Sequence, residues 1–298
     1  MSRFLEALKS GRVLLMDGAM GTELQRAGIG QGECYELWNL KNPKKVRAIH
    51  QAYVDAGAEV LLTNTFQALR VELRLEGKEL RQTDRIILEG IRLAREAAGP
   101  ECFVLADIGP TLENYSFEQL AANKPLASLV RSLCQADALL LETYSRLSVF
   151  NAVLFLDDVM AWDTDARPPI LLSIAFHCDT AGQLQGIGGD APERFAGSSM
   201  IAALGANCGR DIGMDQLLEV IRRYRLETDL PLFARPNAGT PTRVGDGWVY
   251  PLTTEKMAER LPELLEAGVS MVGGCCGTTP EHIAAMRPII DEWNATHN

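Results

Sequence analysis

Three observations predict an α/β fold of the (β/α)8 TIM-barrel class. Eight short apolar runs recur along the 298 residues, segments of helical periodicity separate them, and polar residues follow each run at its C-terminal end. A doubly wound sheet is the main rival, but it would not bring the ends of strands one, four, six and eight to one mouth. Composition agrees: 47% hydrophobic and 23% charged residues suit a globular chain with one large core. No repeat, low-complexity stretch or linker breaks the alternation, so one barrel domain over residues 1–298 is expected.

The elements follow in order. Residues 1–9 form a short amphipathic helix without the apolar run of a signal peptide. Strand one, 12–16, leads into Asp17-Gly18-Ala19-Met20-Gly21-Thr22. Asp17 there is either a partner for a substrate ammonium or the N-cap of a helix beginning near Thr22. These glycines lack the spacing and the Lys-Ser/Thr pair of a phosphate loop. Asn42-Pro43 opens a helix with Val46, Ile49 and Tyr53 at helical spacing, and Gly57 ends it. His50 on that helix reads as a packed or surface histidine. Strand two, 59–62, delivers Thr63-Asn64-Thr65-Phe66, groups able to orient a polar substrate.

A long helix is predicted over 71–98 from Ile86, Ile87, Ile91 and Leu93, and strand three, 102–106, ends at Asp107-Ile108-Gly109-Pro110. Strand four, 138–141, ends at Glu142, an acid that is expensive to bury unpaired and useful where it faces an ammonium. Strand five, 170–176, delivers His177 and Cys178 into a polar loop reaching Asp190; His177 reads as a ligand, a base or a plain loop residue. Strand six, 201–206, leads to Cys208, and strand seven, 232–234, to Arg235-Pro236-Asn237-Ala238-Gly239. Pro262 and Pro288 predict helices that kink or begin late.

Strand eight carries the most specific signal, Met271-Val272-Gly273-Gly274-Cys275-Cys276-Gly277-Thr278-Thr279-Pro280. Neighbouring side chains on a regular strand diverge, so the flanking glycines are expected to supply positive φ and turn both sulfurs to one point. Thr279 then caps a helix with Pro280 at its first position. Two thiolates are too few for zinc, which takes about four ligands, and Gly-flanked Cys208 is the best third candidate. The plain alternative is a pair of small buried hydrophobes.

Taken together, Asp17-Gly18-Ala19-Met20-Gly21-Thr22, Thr63-Asn64-Thr65-Phe66, Glu142-Thr143, Gly205-Ala206-Asn207-Cys208 and the strand-eight motif resemble the homocysteine S-methyltransferase family from Val13 to about Ile290. The resemblance implies a barrel with catalytic Zn2+ held by Cys208, Cys275 and Cys276. It also implies that Asp17, Gly18 and Glu142 bind the amino-acid end of homocysteine, with Thr63 nearby. The segments 236–239 and 250–253 are most similar to the homocysteine module of cobalamin-dependent methionine synthases. Arg146 stands where relatives often carry a small or acidic residue, and 111–137 is short for the family.

The expected activity is methyl transfer to the thiol of homocysteine, giving methionine. The donor is a methylated corrinoid on a separate protein or a small compound such as S-methylmethionine or betaine. A noncatalytic zinc- or homocysteine-binding module is the alternative from another class; a fourth protein ligand such as His177 would favour it by closing the metal site. Net charge of -10 without a basic block argues against nonspecific nucleic-acid binding. No stretch is apolar enough to span a bilayer. With neither a signal-peptide run nor a membrane span, a cytoplasmic protein is expected, and seven cysteines, an odd number, then point to reduced thiols and possible metal binding over a disulfide framework. Oligomeric state is not legible.

Overall fold

The computed structural model describes residues 2–30, 32–70, 80–145, 149–161, 167–181, 183–186, 191–195, 199–209, 211–245 and 247–297. The first residues of the predicted long helix (71–79), Arg146 and Asp190 lie outside them. Eight strands form one sheet: β1 Leu14–Leu15, β2 Val60–Leu62, β3 Phe103–Ile108, β4 Ala138–Tyr144, β5 Ile170–Ile174, β6 Ala203–Asn207, β7 Leu232–Arg235 and β8 Val269–Val272. Each pairs in parallel with its neighbours in the order β1-β8-β7-β6-β5-β4-β3-β2. A parallel bridge between Met16 and Val60 joins the two ends, with Asp17 N–H donating to Val60 O at 2.8 Å and Glu59 N–H to Leu15 O at 2.7 Å. That closure makes the sheet the (β/α)8 barrel expected from the apolar runs.

Alternation along each strand divides its side chains between two cores. One set, including Met16, Leu62, Leu105, Leu140, Leu171, Ala203, Phe233 and Met271, fills the barrel interior. The other, including Leu15, Leu61, Val104, Leu139, Leu172 and Leu204, packs outward with helix residues such as Val46, Tyr53, Ile87, Leu129 and Ile221. The interior is therefore a plug of side chains at this level.

Several boundaries differ from expectation. β4 runs through Glu142 to Tyr144, and its register shifts between Leu141 and Tyr144. The first helix of the barrel covers Met20–Arg26, and its N-cap is Ala19. Asp17 is thus no helix cap. Asn42 takes the N-cap position of Pro43–Asp55 without a capping hydrogen bond from its side chain. Pro262 begins the short helix Leu261–Glu266, as a proline in a first turn should, whereas Pro288 lies inside the continuous helix Pro280–His297. His50 is completely buried.

Candidate active site

The chain rises from the apolar plug into a polar layer by a simple rule of alternation. Two residues beyond the interior side chains Leu105, Leu140, Leu171 and Phe233 stand Asp107, Glu142, Ser173 and Arg235, all buried. Residues so placed point toward the barrel axis, at the C-terminal ends of the strands.

Above this layer three sulfurs meet. Cys208 follows β6 directly, with φ 52, a conformation rare for a residue with a side chain and found where surrounding structure enforces it. Cys275 and Cys276 lie in the turn after β8. Cys275 N–H donates to Pro236 O at 2.8 Å and Ala238 N–H donates to Cys276 O at 3.0 Å, so the loop after β7 holds both. The glycines around them act differently from one another. Gly277 takes φ +82 and leaves room for the Tyr250 ring, whose Cγ would lie 2.1 Å from a Cβ there. Gly274 has no positive φ; it is a close approach, where a Cβ would sit 2.3 Å from Thr278 Oγ1.

The sulfurs of Cys208, Cys275 and Cys276 all lie within 4.8 Å of one another. Tetrahedral thiolates about 2.3 Å from zinc are separated by about 3.8 Å, and the Cys208 and Cys276 sulfurs are 3.8 Å apart. The donor set therefore fits zinc in both chemistry and spacing. It is the one such group among the described residues, and His177, exposed on a two-stranded hairpin with Leu184–Gln185, is not part of it. The sulfurs also share protons. Thiol hydrogen bonds from Cys275 and Cys276 hold the Cys208 thiol far below its usual pKa, while the bond to Cys208 pushes both partners up.

The predicted substrate residues fall in the polar layer beside the sulfurs. Asp17, 1% exposed, accepts from Leu62 N–H at 2.8 Å through one oxygen and from Arg235 Nη2 at 3.1 Å through the other. Arg235, 3% exposed, also donates to Gly18 O at 3.2 Å and pairs with Glu142. Burial raises the pKa of Asp17 and of Glu142 to about 7, against the pull of Arg235. Burial, with Glu142 beside it, also raises Asp107 well above the usual carboxylate range. Thr63 stands slightly aside: its hydroxyl bonds Thr65 Oγ1 at 2.6 Å and accepts from Asp107 N–H at 3.1 Å. Gly18 backs onto Tyr53, whose hydroxyl donates to Ala19 O at 2.9 Å.

Three contributors have no assignment from sequence. Arg235 and Asp107 are the first two, and the alternation that brings Leu140 to Glu142 also brings Phe233 to Arg235. Asn207 is the third. Its Oδ1 accepts from Ser173 Oγ at 2.6 Å and Thr143 N–H at 3.2 Å, and its Nδ2 donates to Thr143 Oγ1 at 2.8 Å and Cys275 Sγ at 3.6 Å.

Known proteins share the sequence pattern and the fold. The homocysteine S-methyltransferase family model matches residues 14–290. Methionine synthases of Mycobacterium leprae and Mycobacterium tuberculosis are 29% and 30% identical over 95% and 92% of the chain. The chain spans about a quarter of those proteins, 25% and 24% of their lengths. The metallated homocysteine methyltransferase MmuM of Escherichia coli superposes with a TM-score of 0.72 at 26% identity, over 95% of this chain and 99% of that one. Its apo form gives 0.70 at 27% identity, over 95% and 98%. With a match across nearly the whole barrel, the chain belongs to the homocysteine S-methyltransferase family.

Proposed function

We propose that this barrel transfers a methyl group to the thiol of homocysteine, giving methionine, with zinc held by Cys208, Cys275 and Cys276. The observation that carries the reading is the convergence of sulfurs from the ends of β6 and β8 within 4.8 Å. Structural zinc sites close with four protein ligands, whereas a three-ligand set leaves a position for substrate. A free thiol with a pKa of about 8.5 is mostly protonated at neutral pH. Zinc bound at the three sulfurs supplies the Lewis acidity that keeps a substrate thiol ionised and nucleophilic.

The chain's own residues do the rest. Asn207 directs an N–H at Cys275 and so fixes the orientation of that ligand. Gly18, Thr63, Asp17 and Glu142 build the pocket wall for the amino-acid end of homocysteine, with Arg235 setting the positions of both acids. The Tyr250 ring packs over Gly277 and its hydroxyl interacts with Cys276. The methyl donor approaches over the same mouth, as a methylated corrinoid carried on another protein or as a small sulfonium or ammonium compound. The likeness to methionine synthases supports the first and the likeness to a homocysteine methyltransferase covered end to end supports the second.

Metal analysis and a Cys276→Ala variant test the reading. Wild-type protein is expected to bind one zinc per chain and to methylate homocysteine with one of these donors. C276A should lose the metal and at least a thousandfold in rate; full activity in C276A or in metal-free protein would reject the mechanism. Supplying each donor separately with homocysteine distinguishes the two donor classes.

A further inference from the structure

His282, in the first turn of the helix Pro280–His297, is buried and has a partner at each ring nitrogen. Its Nδ1 faces the Thr279 N–H at 3.2 Å, with Thr279 Oγ1 at 3.1 Å beside it. A backbone amide can only donate, so Nδ1 accepts. Nε2 then carries the proton of the neutral ring and donates it to Leu252 O at 3.1 Å. Leu252 is held from its other side as well, since its N–H donates to Ala238 O at 3.0 Å, and Ala238 N–H donates to Cys276 O at 3.0 Å. One backbone unit thus joins the start of a helix to a ligand turn.

The segment so held carries Tyr250, whose ring occupies the space that Gly277 leaves open and whose hydroxyl interacts with Cys276. Between Gly239 and Tyr250 the chain makes only a separate two-stranded hairpin, Thr242–Val244 with Gly247–Val249, which does not join the barrel sheet. The seat of Tyr250 therefore depends on Leu252 and on Pro251, which packs against Gly239 at 3.1 Å from where a Cβ would stand. Hydrogen bonds from outside a ligand set orient the ligands and tune their charge. Cys275 has the Asn207 amide in that position, and Cys276 has the Tyr250 phenol. We propose that His282 is a positioning residue for the sulfur site: by holding Leu252 it seats Tyr250 against Cys276, and Tyr250 in turn keeps that sulfur aimed as a ligand. The assignment rests on the zinc reading and adds the device that orients one of its three donors.

The test reads metal binding directly. Zinc affinity is measured by competition with a chelating dye, and Co2+ in place of zinc reports the thiolate ligands through its sulfur-to-cobalt absorption band. Tyr250→Phe, which keeps the ring and removes the hydroxyl, should weaken zinc binding about tenfold and move the cobalt band. His282→Ala should do the same, because Tyr250 loses its seat. The double variant Y250F/H282A should bind no more weakly than the weaker single variant, since the two residues act in series. A folded H282A or Y250F with wild-type affinity and an unmoved cobalt band overturns the assignment, even where its melting temperature is lower. Effects that multiply in the double variant overturn it too, since His282 would then act by another route. His282→Asn, which keeps an acceptor for the Thr279 N–H on a side chain too short for Leu252, is read the same way if H282A does not fold. Wild-type protein that takes up neither metal rejects the zinc reading itself, a result distinct from undiminished metal binding in H282A.

Discussion

Asn207 joins the Cys275 sulfur to a strained stretch of backbone. Thr143, next to Glu142, has φ 64, unfavourable for a β-branched residue, and the Asn207 amide bonds both its N–H and its hydroxyl. The same amide donates to Cys275. Outer-shell hydrogen bonds of this kind are worth about 10–100-fold in metal affinity. Asn207→Ala is therefore expected to weaken zinc binding by about that factor, as measured by competition with a chelating dye; an unchanged affinity would show that the amide serves only the backbone. Asn207 was visible in the sequence only as a neighbour of Cys208. Its function depends on Ser173 and Thr143, which lie far away along the chain, and nothing local encodes that meeting. Arg235 was hidden for the same reason. An arginine after Leu-Phe-Ala looks like any polar strand end until register sets it between Asp17 and Glu142.

At the scale of the element, the helix Pro43–Asp55 carries His50 fully buried with both ring nitrogens unpartnered among the described residues. Burial alone lowers its pKa from 6.5 to about 4. The folded state then binds fewer protons than the unfolded chain between those values, so stability is full above pH 6.5 and falls as pH drops toward 4. The expected loss from pH 7.5 to pH 5 is about 2 kcal/mol, read from urea unfolding at each pH. His50→Leu should flatten that dependence, and an equal slope in the variant would place the titration elsewhere. The helix was legible from Val46, Ile49 and Tyr53, yet the same period admits position 50 to either face. The strands were legible for a stronger reason. Strands covered on both sides read as unbroken apolar runs, and all eight stood out on that basis. Their ends did not, because β4 continues past its apolar run into Glu142, where a guanidinium supplies the partner that an isolated acid lacks.

For the whole molecule, the sulfurs come from the ends of β6 and β8, which flank β7 in the sheet, so an ion bound at all three would tie together segments 67 residues apart at the closest, Cys208 to Cys275. Binding to the folded state alone stabilises it by about 4 kcal/mol at a thousand times Kd. Saturating zinc should therefore raise the urea midpoint of the wild type and leave Cys208→Ser unmoved; a metal-independent midpoint in the wild type would mean that the sulfurs do not hold the ion together. Below the three sulfurs the barrel interior is packed with Leu105, Leu140, Phe233 and Met271. Such a stopper forbids traffic along the axis. Acceptor and donor must share one doorway, and methionine must back out through it before another methyl carrier can press against the rim, so under the proposed activity turnover is paced by a queue at a single entrance.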